Sequence, residues 1–228
     1  MRTYAFLFAA LTVACSSDSS SSGTTETPTT PTTPSPNARA VTVDSAFAIR
    51  TAMVGTSIPA EVHVTQNGQP ASGVTVTWSV STGGGTANPT TSLTNSAGVA
   101  TTTWTVSDTV RTSKLTGGIT GESSAVLQVT TTAGPATTLV RAGPDSVAVV
   151  AGSSTLITAR VTDKSGNSVS GVSVGWTSTG GSLTATTTVT GASGNGQVVF
   201  STDPAPRSYT VTATVAGIGA LTFKVVGL

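Results

Sequence analysis

Gly73-Val74-Thr75-Val76-Thr77-Trp78 returns later in the chain as Gly171-Val172-Ser173-Val174-Gly175-Trp176. In both stretches apolar side chains alternate with small or polar ones and the apolar face ends on a tryptophan, the period-2 pattern of a half-buried strand. Upstream, Val54-Gly55-Thr56-Ser57 recurs as Ala151-Gly152-Ser153-Ser154, an offset of 97 (54 to 151), whereas the tryptophan strands are offset by 98 (73 to 171). One residue has therefore been inserted between them. It falls in Thr162-Asp163-Lys164-Ser165-Gly166-Asn167, opposite Thr65-Gln66-Asn67-Gly68, a hairpin connection where extra length is tolerated. Farther on, Leu115, Ile119, Gly121, Leu127 and Val129 line up with Val211, Val215, Gly217, Phe223 and Val225 at an offset of 96 (115 to 211).

Self-similarity at this spacing makes the body of the chain two copies of one unit. Short alternating runs punctuated by Gly, Asn and Pro are the mark of an all-β sandwich, and a unit of roughly 95 residues is close to an immunoglobulin-like domain. The expected architecture is two tandem immunoglobulin-like β-sandwiches, residues 40–133 and 134–228, meeting near Ala133-Gly134-Pro135-Ala136. Alternation places Ala60, Val62 and Val64 inward with Ile157, Ala159 and Val161 as their counterparts, and turns Glu61 and His63 outward. Trp78 and Trp176 are the expected structural core of each sandwich.

Composition narrows the function. Only 8% of the 228 residues are charged, against about 25% in an ordinary soluble domain, so the groups that do acid–base work, bind metals or grip phosphate are scarce. Threonine alone is roughly a fifth of the chain, a β-branched excess that favours strands. A net charge of +1 lacks the basic footprint of a nucleic-acid partner.

The N-terminus reads as an address. Arg2 precedes the apolar run Tyr4 to Ala14, which is too short to span a bilayer core of ~30 Å but suits the apolar region of an export signal. Leu11-Thr12-Val13-Ala14-Cys15, followed by Ser16-Ser17-Asp18-Ser19, resembles the lipobox of bacterial lipoproteins, although Thr12 stands where that family prefers Leu. The resemblance implies that residues 1–14 are a signal peptide, that Cys15 becomes the acylated N-terminus, and that Ser16 favours sorting to the outer membrane. The alternative is a free thiol discarded with an ordinary signal. Two or three acyl chains would hold firmly, each buried CH₂ contributing about 0.8 kcal/mol. Loss of Arg2 would leave 9 basic against 9 acidic side chains and no cysteine for an internal disulfide. Residues 15–39, rich in Ser, Thr and Pro, have nothing apolar to bury and read as a disordered tether stiffened toward polyproline II.

Within the body, the run from Val161 to Val174, the strand Gly196-Gln197-Val198-Val199-Phe200 and the strand from Tyr209 to Val215 resemble the bacterial Ig-like repeats of invasin and intimin type. In those repeats V-x-D-x-x-G-N-x-V-x-G-V-x-V, G-x-A/V-x-V/F and Y-x-V-x-A segments recur. The first unit departs from the pattern, with Asn67-Gly68-Gln69-Pro70 at the turn and Ser113 where the second has Tyr209. The resemblance implies a β-sandwich and a surface role as spacer or adhesin, and it brings no catalytic residues.

Other candidate chemistry is thin. His63 is the single histidine, and no acidic cluster lies near it in sequence beyond Glu61, so it reads as a solvated surface side chain rather than a metal ligand or a triad base. Gly83-Gly84-Gly85 and Gly191 to Gly196 lack the Lys-Ser/Thr of a phosphate loop and read as turns. Asp163 and Asn167 are too few oxygens for calcium and favour an Asx-type turn. Of the seven aromatics after residue 15, only Phe47 has no core assignment, which argues against a sugar-stacking platform. The expected protein has no catalytic residue, no cofactor and no bound metal. It is a membrane-anchored adhesion or spacer module whose partner is a host or cell-surface protein or glycan. A glycan-binding accessory protein of a polysaccharide-degrading system is the second reading, and a non-binding stalk of an envelope complex the third.

Overall fold

The structure, a computed structural model, describes residues 38–228. Its first half contains β1 (Arg39–Thr42), the one-turn α1 (Ser45–Ala48), β2 (Ile49–Met53), β3 (Ser57–Gln66), β4 (Gln69–Pro70), β5 (Thr75–Thr82), β6 (Gly85–Asn88), β7 (Thr91–Leu93), β8 (Val99–Val106), β9 (Thr112–Gly118) and β10 (Ser124–Thr132). Its second half contains β11 (Thr138–Arg141), β12 (Ser146–Val149), β13 (Ser154–Thr162), β14 (Ser173–Ser178), β15 (Ser182–Leu183), β16 (Thr187–Val189), β17 (Asn195–Ser201), β18 (Ser208–Val215) and β19 (Gly219–Gly227).

The two halves share one strand order. The sheets of the first sandwich run β1-β3-β8-β6, with β4 also on β3, and β2-β10-β9-β5-β7. Those of the second run β11-β13-β17-β15 and β12-β19-β18-β14-β16. Ladders are antiparallel except β2 on β10 and β12 on β19, which are parallel. In each half the leading segment therefore pairs with one sheet and then crosses to the other, a switch that alternation alone does not reveal.

The alternating faces meet in two cores. Ala60, Val62 and Val64 pack against Val76, Trp78, Leu115, Leu127 and Val129; Ile157, Ala159, Val161 and Phe200 pack against Val174, Trp176, Val211, Phe223 and Val225. Trp78 is 3% exposed and Trp176 2%. Each indole buries its rings yet satisfies its N–H at the edge strand, Trp78 Nε1 donating to Ser92 Oγ at 2.9 Å and Trp176 Nε1 to Thr188 Oγ1 at 2.8 Å. Removing some 150–250 Å² per indole from water at about 25 cal/mol per Å² contributes several kcal/mol to each sandwich.

Repeated polar fastenings accompany the repeated core. Buried Thr94 accepts from Val74 N–H and donates to the Ala71 carbonyl, and buried Thr190 accepts from Val172 N–H and donates to the Val169 carbonyl. Each hydroxyl thereby closes the loop before a tryptophan strand. Gly121 and Gly217 both adopt positive φ, 77° and 76°, in the turns joining β9 to β10 and β18 to β19, where a Cβ would be strained. Gly196, by contrast, lies within β17 and not in a turn; a Cβ there would stand 2.9 Å from Val174 Cγ2, so the close approach of the two sheets demands glycine.

The departures between the halves also have physical form. Tyr209 is buried, packs edge-on to Phe200 at 5.2 Å, and exchanges hydrogen bonds with the Asp203 amide and carboxylate. Ser113, its counterpart, is buried too but only donates to the Gly83 carbonyl at 3.0 Å. Phe47 is half-buried against the first core, with the Arg50 guanidinium 4.7 Å above its ring.

Candidate functional site

The inserted turn residue lies in the loop of the second sandwich that reaches the first. In the first unit, β3 passes to β4 through Asn67 and Gly68, both at positive φ (54° and 78°), the tight two-residue connection of a hairpin. In the second, residues 163–167 make a longer loop closed by Asp163. Asp163 Oδ1 accepts from the amides of Ser165 and Asn167, both at 2.9 Å, an Asx-type turn. Oδ2 accepts from Asn167 Nδ2 at 2.9 Å and from the amide of Gly134, in the connection between the sandwiches, at 2.9 Å.

The same loop reaches across. Asn167 Nδ2 donates to the Asp108 carbonyl at 2.7 Å, and Asn167 Oδ1 accepts from Val110 N–H at 3.0 Å. Both partners belong to the turn between β8 and β9 of the first sandwich. That turn is held from behind by Thr131 of β10, whose Oγ1 accepts from Arg111 N–H and shares its proton between the Thr109 and Arg111 carbonyls. The extra turn length is thus spent on contact with the neighbouring sandwich.

Electrostatics follow from this geometry. Asp163 is 2% exposed, and no ion pair accompanies it among the described residues. Burial works to raise its pKa, but the N–H donors of Asn167, Gly134 and Ser165 outweigh it and hold the carboxyl below its ordinary value. With its oxygens already accepting from N–H groups, the carboxylate has its lone pairs engaged, which argues against a calcium-binding role.

Cys15 lies outside the described residues, as do the apolar run and residues 16–37 of the tether. Trp78 and Trp176 sit in separate cores. Trp104, Trp176, Phe200 and Tyr209 are fully buried, so these rings offer no face for sugar stacking. A shallow groove of about 660 Å³ beside Ser72, Thr75, Thr77 and Thr120 is bounded by the Arg39–Glu122 ion pair, 3.0 Å long, and brings together no histidine or cysteine. The surroundings of His63 differ from the sequence expectation: Asp44, which follows β1, stands beside it together with Glu61. No helix among the described residues is long and apolar enough to cross a membrane.

No curated protein matches the chain significantly. Among solved structures, the chain is similar to FdeC, an Escherichia coli adhesin, at 21% identity over 84% of this chain and 63% of that one, with a TM-score of 0.55. It is similar to InvD of Yersinia pseudotuberculosis at 14% identity over 84% of this chain and 57% of that one, with a TM-score of 0.50. The D0-D1 domain of intimin aligns at 22% identity over 82% of this chain and 94% of that one, with a TM-score of 0.33. Residues 140–225 match the family model of the bacterial Ig-like domain (group 1). The matched stretch falls within the second sandwich, and the first sandwich repeats its strand order.

Proposed function

We propose that the chain is a lipid-anchored surface module whose two Ig-like sandwiches act as one stiff, non-catalytic arm for adhesion or spacing. The observation that carries this reading is the junction: one buried asparagine satisfies backbone groups of both sandwiches, and Asp163 fastens the connection between them. A flexible pair of binding beads has no use for such a fastening, whereas an arm that must hold a surface at a set distance does. The fold shared with FdeC and InvD supports the architecture, and FdeC is an adhesin, which supports the role. Cys15, after the apolar run Tyr4 to Ala14, supplies the anchor, and the stretch from residue 16 to the start of β1 at Arg39 the tether, which puts the arm at the outer membrane or cell surface. The partner is a host or cell-surface protein or glycan.

The anchor is tested by fractionation. Wild type should sediment with membranes and Cys15→Ala should move to the soluble fraction; unchanged fractionation contradicts the anchor.

A further inference from the structure

Asp44, Glu61 and His63 each offer a ligand atom within 4.8 Å of the others. Sheet pairing brings them together. His63 on β3 faces Thr42 of β1, Glu61 lies two residues along the same outward face, and Asp44 follows two residues after Thr42. Asp44 occupies the N-cap position of α1 but makes no side-chain capping bond, so capping does not occupy its carboxylate.

The imidazole nitrogen that faces these carboxylates is unaccounted for. His63 Nε2 is buried and has no hydrogen-bond partner, although Asp44 Oδ2 is 3.3 Å away and Glu61 Oε1 3.9 Å. The Asp44 oxygen is near enough to pair by charge, yet an N–H on Nε2 is not aligned with it. An imidazole nitrogen and two carboxylate oxygens converging without a hydrogen bond between them leave a place for a shared cation. With metal–ligand bonds of about 2.0–2.2 Å, the ligand atoms of a tetrahedral zinc site stand about 3.4 Å apart. The two distances from Nε2, 3.3 and 3.9 Å, bracket that value, and three protein ligands would leave the fourth corner for water.

We infer that Asp44, Glu61 and His63 form a binding site for a divalent transition-metal ion of the zinc class. One imidazole and two carboxylates suit a borderline cation, whereas calcium and magnesium prefer oxygen alone. Arg50 is the neighbouring cation. Its guanidinium lies over Phe47, donates to the Pro59 carbonyl and feels the charge of Glu61, so it offsets one of the two carboxylate charges and leaves the other for an incoming cation. An ion held there ties the β1–β2 connection to β3.

The chain has 1 histidine, so the imidazole resonances of ¹⁵N-labelled full-length protein report this site alone, whatever Cys15 does. Titration with zinc chloride should shift them saturably, calcium chloride should not, and zinc affinity should fall by about tenfold or more in both Asp44→Asn and Glu61→Gln. Asp44 and Glu61 lie on the outward face, and circular dichroism verifies that both variants remain folded. No shift at millimolar zinc, an equal response to calcium, or wild-type affinity in either carboxylate variant overturns the assignment.

Discussion

Asn167 of the second sandwich donates its side-chain N–H to the Asp108 carbonyl of the first at 2.7 Å, while the oxygen of the same amide accepts from Val110 N–H at 3.0 Å. A primary amide has one strong acceptor and two donor hydrogens, and here it engages the adjoining backbone in both senses. Asn167→Ala removes both bonds to the first sandwich, at about 0.5–1.5 kcal/mol each, together with the Nδ2 bond to Asp163, and leaves partly buried backbone groups to find water. The expected outcome is a more mobile junction with both cores intact: amide relaxation of the two sandwiches should diverge while the tryptophan environments stay as in wild type.

Asp163 gives the junction a pH dependence of definite sign. Its folded pKa lies below the unfolded value of about 3.9, so the unfolded chain takes up the proton first as pH falls. Its contribution to stability is fully present above that unfolded value and is lost as pH drops through the folded one. Urea unfolding of the second sandwich below about pH 4 should weaken more steeply in wild type than in Asp163→Asn. Parallel curves would remove the carboxylate from this role.

Trp78 and Trp176 serve separate cores that no disulfide reinforces within the described residues. Trp176→Ala should cost about 3–5 kcal/mol in the second sandwich, and Trp78→Ala a comparable amount in the first. Calorimetry should show the affected transition lost or moved far down while the other persists. A melt within a few degrees of wild type contradicts the assignment of either ring as a core anchor.

Thr94 and Thr190 each connect an amide and a carbonyl through one buried hydroxyl. Thr→Val preserves shape while stranding both backbone groups, and should destabilise the corresponding sandwich by about 1–3 kcal/mol. Denaturant midpoints of Thr94→Val and Thr190→Val measure this directly, and unchanged midpoints contradict it.

The duplication and the inward faces were legible because a strand exposes its environment every second residue: Val62 and Val64 reappear as Ala159 and Val161 with the same burial. The sheet switch between β1 and β2 was not, since both segments are short and their pairing partners lie elsewhere in the chain. The junction was hidden for a similar reason. Asn167 meets Asp108 and Val110, 59 and 57 residues earlier, and a turn insertion carries no sign of what it touches. Asp44 was likewise invisible as a neighbour of His63, because only the β1–β3 register closes the 19 residues between them. Ser113 and Tyr209 show the reverse case, a sequence difference that becomes two different buried hydrogen bonds at one place in the fold.

The central claim is that the two sandwiches move as one arm. Residual dipolar couplings of backbone amides, collected on the full chain and fitted separately for residues 39–132 and 138–227, test it most directly. The account predicts a single alignment tensor for both sets in wild type and two in Asn167→Ala. Tensors of different magnitude and orientation in the wild-type protein would contradict it.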